Sequence, residues 1–222
     1  MLGELNDLGL SGLAVPEAQG GMGFGAIEAM VVMEELGRGL VNAPYAQAAL
    51  VSPTLLSGAP DALQSEWLPK IAAGEALVVL AQQERRSRYR LNQVSTRAVQ
   101  AGGGWALSGA KTVVPAGDEA DAFIVSARIS GAEDANDGIG LFLVPKAAKG
   151  LSITGYPTQD GGRAAEVVFD KAAAALVTTD GMAALEHAVD IGIAALAQAI
   201  ERFRPDVLHL HYQRIVEGYT TG

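Results

Sequence analysis

The stretch Gly104–Arg128, GWALSGAKTVVPAGDEADAFIVSAR, decides how the fold is read. It holds two β-rich runs, Trp105–Val114 and Phe123–Ile129, parted by a turn rich in small and acidic residues. Aromatic and β-branched side chains favour a pleated, half-buried surface. On both sides of this stretch further runs share its character: Leu77–Ala81, Ser95–Gln100, Ile139–Pro145, Leu151–Thr154 and Glu166–Phe169. Ala101–Gly104 and Asp134–Gly138 are turn-rich connections. Short strands repeating about every 10–15 residues with Gly or Asp turns predict an antiparallel barrel or sandwich.

The flanks read as helical. Ile27, Met30, Val31 and Glu34–Leu36 fall at helical spacing and Gly37 and Gly39 end the run. Asp61–Ile71 places Leu63, Trp67, Leu68 and Ile71 on one face, with Pro69 a local distortion. A helical pattern returns at Asp180. The expected class is therefore α+β: a helical segment over 1–75, a β-domain over 76–177, and the start of a further helical domain over 178–222.

Composition narrows the function classes. Sixteen Lys and Arg against 25 Asp and Glu give a net charge of -9, which argues against a binder of nucleic-acid backbone. There is no cysteine, so disulfides and thiolate chemistry are excluded, and a reducing, cytoplasmic setting fits. The uncharged run Gly39–Pro60 is broken by Asn42, Pro44, Gln47, Ser52 and Pro53, so it reads as a buried helical layer rather than a membrane span. His209 and His211 are too few for a metal site.

Against this acidic background LAQQERRSRYR, Leu80–Arg90, is a local inversion: an apolar strand running into Arg85, Arg86, Arg88 and Arg90. The arginine fork suits phosphate oxygens, so the cluster points either to a pocket for an anionic ligand or to a solvated basic loop.

The order of elements, with LGLSGLAVPEAQGGMGFG at Leu8–Gly25, EELGRGLVNAPY at Glu34–Tyr45, WLPKIAAGE at Trp67–Glu75, Gly104–Arg128, and GYPTQDGGRAAEVVFD at Gly155–Asp170, resembles the acyl-CoA dehydrogenase family. It is most similar to the branch that includes small subunits of pimeloyl-CoA dehydrogenase-type enzymes. The resemblance implies a flavoprotein with FAD that takes hydrogens from Cα and Cβ of an acyl-CoA, hands electrons to an electron-transfer flavoprotein, and works as a homo- or hetero-oligomer. It implies a β-barrel or sandwich carrying the flavin, and a C-terminal helix that is a remnant of a four-helix bundle.

Carried over residue by residue, the resemblance makes Leu80, Gln82 and Gln83 flavin-facing, with Gln83-Glu84-Arg85 where the family has Thr-Glu-Pro. Ser108-Gly109-Ala110-Lys111 matches the family's Asn-Gly-x-Lys turn, and Val113 and Pro115 stand where it has a flavin-contacting Trp and Thr. Tyr89 and Arg90 take the substrate-phosphate side. These replacements predict a less polar flavin contact than is typical. None of Asp180, Glu186, Asp190, Glu201, Asp206 and Glu217 matches the family's catalytic carboxylate, so no catalytic residue is expected here. The resemblance stops near Ala197, before the alanine-free tail Glu201–Gly222. This predicts a chain short of the family at both ends, with apolar surface bared over Val31–Leu56 and Asp180–Ile200.

Overall fold

The computed structural model describes residues 2–87 and 90–190. Helix α1 (Leu2–Asp7) is followed by a glycine-rich loop, then α2 (Ala26–Arg38), a π-type turn (Gln47–Val51) running into α3 (Ser52–Ser57), and α4 (Asp61–Ala72). Seven strands follow: β1 (Val78–Ala81), β2 (Arg97–Ala101), β3 (Gly104–Pro115), β4 (Ala122–Arg128), β5 (Ile139–Pro145), β6 (Leu151–Pro157) and β7 (Arg163–Thr178). A last helix, α5, occupies 181–190. The α+β class and all the expected strands are present; β7 is far longer than its expected core of Glu166–Phe169.

The sheet closes on itself. Pairing runs β4–β5–β7–β3–β2 and returns to β4 through Arg97 opposite Arg128, while β6 lies outside on β7. All pairings are antiparallel except those of β1 and β2 with β4, which are parallel. β1 matches Ala122–Val125 and β2 matches Arg128 on β4, so these two strands succeed one another there. The chain that links them leaves a seam between.

Alternation explains why β4 and β5 are buried almost throughout. On one face Val79, Ala81, Phe123, Val125, Ala127, Phe142 and Val144 fill the barrel interior. On the other Val78, Ala122, Ile124, Leu141 and Leu143 pack under Leu55, Leu56, Trp67, Leu68 and Ile71 of α3 and α4 and Leu185 and Ala188 of α5. Strand side chains point to opposite faces in turn, so two covered faces demand an uninterrupted apolar run. The edge of β1 is sealed too: Ser52 Oγ donates to Val78 O (2.6 Å) and Leu80 N–H donates to Gln47 Oε1 (3.1 Å).

The loop before α2 is built on close approach. A Cβ at Gly21 would lie 2.1 Å from Val15 O, so only glycine fits there. Arg128, buried at the end of β4, donates to the carbonyls of Asn92, Glu133, Ala135 and Asp137 and ties down the turn before β5.

The bared apolar surface is narrower than expected. Leu50, Leu55 and Leu56 are buried because the helices above them sit on the sheet, while Phe24, Ile27, Val31, Met33 and Leu40 are exposed. Of the 178–222 region only 178–190 is described, and His209, His211 and the tail lie outside the described residues. Among the described residues no helix is long and apolar enough to cross a membrane and no acidic or histidine cluster could hold a metal.

Phe142 is fully buried and its ring meets Trp105 at 5.2 Å. Phe142→Ala is expected to cost about 3–5 kcal/mol through lost burial and a cavity. Urea unfolding should show it as a lower midpoint with an unchanged slope.

Candidate functional site

The seam between β1 and β2 is where chemistry gathers. After Ala81 the chain stays extended through Gln82 and Gln83, then turns at Glu84–Ser87, with Ser87 N–H donating to Glu84 O (3.0 Å). Glu84 N–H donates to Ser87 Oγ (2.8 Å), which in turn donates to Glu84 O (2.9 Å), so the turn is closed by main chain and side chain together. This turns the Glu84 side chain inward to meet Lys111 of β3.

Lys111 is fully buried, and its Nζ lies 2.7 Å from Glu84 Oε1, donating also to Ser126 Oγ (3.0 Å) and Gln82 O (3.2 Å). Glu84 also accepts from Thr96 N–H (3.0 Å), Ser95 N–H (2.8 Å) and the Ser95 hydroxyl. Burial alone would raise the Glu84 carboxyl. The Lys111 charge and hydrogen bond, with those from Ser95 and Thr96, outweigh it and bring the carboxyl down to about 2. Burial pushes Lys111 down to about 8 against the pull of Glu84, so the pair is ionic at neutral pH.

A bulge in β3 completes the site. Its register with β7 slips between Lys111 and Val114, and Thr112 N–H donates to Gln83 O (2.8 Å) instead of to β7. Val113 consequently sits at φ +50° and is 46% exposed, an unusual posture for a β-branched residue. Gln83, Arg85, Thr112 and Val113, together with Glu84 and with Glu166 of β7, line an open groove of about 270 Å³. That is just below the roughly 300–1,000 Å³ of typical small-molecule pockets, which fits a cleft holding part of a ligand.

Of the positions expected to face a flavin, Gln83 and Val113 meet in this groove and Leu80, Gln82 and Pro115 do not line it. Leu80 is half-buried against the helix-side core. Gln82 gives its carbonyl to Lys111 and leaves Nε2 buried without a partner. Pro115 is exposed and paired in register with Ala164. Arg90 is exposed and donates to Gln93 Oε1 (3.1 Å), and Tyr89 and Arg88 lie outside the described residues.

Sequence reasoning missed Thr112 and Glu166. Glu166 enters because β7 lies beside β3 through a register that no local pattern reveals. The residues lining the groove are thus Gln83, Glu84, Arg85, Thr112 and Glu166 with Val113, while Pro115, expected beside Val113, stays out of it. A flat heteroaromatic ring with carbonyl and imide edges fits these residues. Val113 offers an apolar contact, and Gln83 and Thr112 offer hydrogen-bonding groups.

The structure is thus a closed barrel sealed on one wall by helices, with this groove at its seam. The chain belongs to the acyl-CoA dehydrogenase family: residues 1–75 match the acyl-CoA dehydrogenase N-terminal domain and residues 79–172 the middle domain. It is 33% identical to the mitochondrial isovaleryl-CoA dehydrogenase of Pongo abelii, over 67% of this chain and 36% of that one. It is 31% identical to the (2S)-methylsuccinyl-CoA dehydrogenase of Cereibacter sphaeroides, over 69% of this chain and 28% of that one. Among solved structures, the Tcur3481-Tcur3483 steroid ACAD G363A variant superposes with a TM-score of 0.74 at 33% identity, covering 88% of this chain and 51% of that chain. The chain thus spans about a third of these curated relatives and half of that structure.

Two outcomes test the site. Because the Glu84 carboxyl is held near 2 against an ordinary 4.5, its contribution to stability is full above pH 4.5 and is lost as pH falls toward 2. Glu84→Gln is expected to cost about 3–5 kcal/mol near pH 7, since it strands a buried ammonium. Its urea midpoint should also vary less with pH between 4.5 and 2 than that of the native chain. Val113→Gly relieves the positive φ and is expected to raise stability by about 1 kcal/mol, the strain removed less the entropy glycine adds. Thermal unfolding reads that gain.

Proposed function

We propose that this chain provides the FAD-holding barrel and helical layer of an acyl-CoA dehydrogenase-type oxidoreductase acting on an acyl-CoA thioester. Units 1–75, 76–177 and 178–222 then serve as helical layer, cofactor barrel and the start of a further helical domain. The observation that carries this reading is the meeting across one groove of Gln83 and Val113, two positions from separate motifs that the family resemblance makes flavin-facing. FAD, when bound, supplies the hydride acceptor for desaturation between Cα and Cβ. The chain's own residues orient that group: Gln83 and Thr112 by hydrogen bonds and Val113 by apolar contact. Leu80 supports the strand behind the groove, Pro115 ends the bulged strand, and Tyr89 and Arg90 are the positions that the family resemblance gives to the substrate phosphates.

Removing the α-proton requires a carboxylate within hydrogen-bond reach of it. Glu84 cannot serve, since both its oxygens are committed to Lys111, Ser95 and Thr96. No residue of this chain matches the family's catalytic carboxylate, so the base is assigned to none of them. A cytoplasmic setting, an electron-transfer flavoprotein as electron acceptor and a homo- or hetero-oligomeric assembly complete the reading.

The committed state of Glu84 also favours a second reading, a non-catalytic subunit of a hetero-oligomeric acyl-CoA dehydrogenase. The likeness to the Tcur3481-Tcur3483 steroid ACAD, whose name joins two components, supports it. Adding the purified chain to FAD should shift the flavin absorbance, and an unchanged spectrum refutes the first reading. Turnover with a medium-chain acyl-CoA and an artificial electron acceptor is expected to be negligible for the chain alone. Co-purification with a full-length dehydrogenase subunit selects the second reading.

A further inference from the structure

Arg85 is a cation without a structural task. It is exposed, lines the groove, and has no hydrogen-bond or ion-pair partner among the described residues. Yet its backbone is firmly placed. Glu84 and Ser87 on either side are buried, their turn is closed by three hydrogen bonds, and Glu84 is pinned to Lys111 inside the barrel. Arg85 and Arg86 are the exposed pair this turn presents, and only Arg85 reaches the groove. In a chain of net charge -9, a guanidinium held at the rim of a groove and left unpaired is a site prepared for an anion.

We propose that Arg85 recognises the phosphoryl oxygens of a pyrophosphate-bearing ligand at the groove that Gln83 and Val113 line, so that it sets the groove's preference for such a molecule. This rests on the reading of the groove as a flavin site. FAD and CoA both carry that pyrophosphate. The planar fork donates to two phosphate oxygens at once in a fixed geometry that a lysine's point charge does not match. Glu166, on the β7 wall of the same groove, repels such a group and moderates its binding.

The test measures binding of FAD, riboflavin and CoA to the native chain, Arg85→Gln, Arg85→Lys and Arg86→Gln at low and moderate salt. Arg85→Gln is expected to weaken FAD or CoA by about tenfold or more, as loss of charge-assisted hydrogen bonds does, while leaving riboflavin unchanged. Arg85→Lys should recover part of the loss, Arg86→Gln should stay within about twofold of native, and the salt dependence should fall with Arg85→Gln. Loss confined to FAD identifies its pyrophosphate as the occupant, and loss confined to CoA identifies that of CoA. FAD and CoA both unchanged within about twofold, or riboflavin weakened equally, overturns the role of Arg85 and leaves the flavin reading standing. Riboflavin that fails to bind the native chain while CoA still depends on Arg85 does the reverse. Thermal midpoints of the variants, expected equal to native, exclude a folding defect as the cause.

Discussion

The buried pair between Glu84 and Lys111 is the interaction on which the rest of the structure turns. A barrel whose closing position is shared by two successive strands has a hole where one gives way to the other. Hydrophobic side chains from the linking segment could not satisfy the main-chain groups exposed there. The Glu84 carboxylate takes the Ser95 and Thr96 N–H groups that open the approach to β2, and the Lys111 ammonium takes Gln82 O and Ser126 Oγ across from it. Bringing both charges out of water is costly, and it is offset because each hydrogen-bonding direction finds a partner.

That pair also builds the groove. With Glu84 turned inward, Gln83 beside it must face the other way, and Arg85 emerges from the turn that follows. With Lys111 turned inward, the next two residues of β3 are displaced outward, Thr112 bonds to Gln83 O, and Val113 is forced to positive φ. Backbone strain of this kind, of about 1–3 kcal/mol, persists only where the surroundings over-determine it. Here a buried ion pair on one side and a strand register on the other do so. Fold and site are one construction at this point, and the helical layer matters to it by holding β1 in place through Ser52 and Gln47.

Much of the architecture was legible from local pattern. The apolar runs of Phe123–Ile129 and Ile139–Pro145 allowed no reading but buried strands, and the glycine and acidic turns located their ends. Helix α4 could be read from Leu63, Trp67, Leu68 and Ile71 recurring on one face. The extent of β7 was not legible: Ala172–Ala175 carries no β-propensity, and these residues are strand because β3 and β5 offer them partners. The same holds for the pairings of β1 and β2 with β4, since parallel register depends on strands distant in sequence.

By itself the sequence determined which segments are strand and helix and which family motifs stand at the strand ends. Periodicity and turn chemistry act over a few residues, so they survive in the linear chain. The tertiary structure alone decided that Gln83 and Val113 meet, that Leu80 and Pro115 stay out of the groove, and that Thr112, Glu166 and an unpaired Arg85 enter it. Those facts follow from barrel closure and a one-residue bulge, and a register of that kind exists only once distant strands have paired.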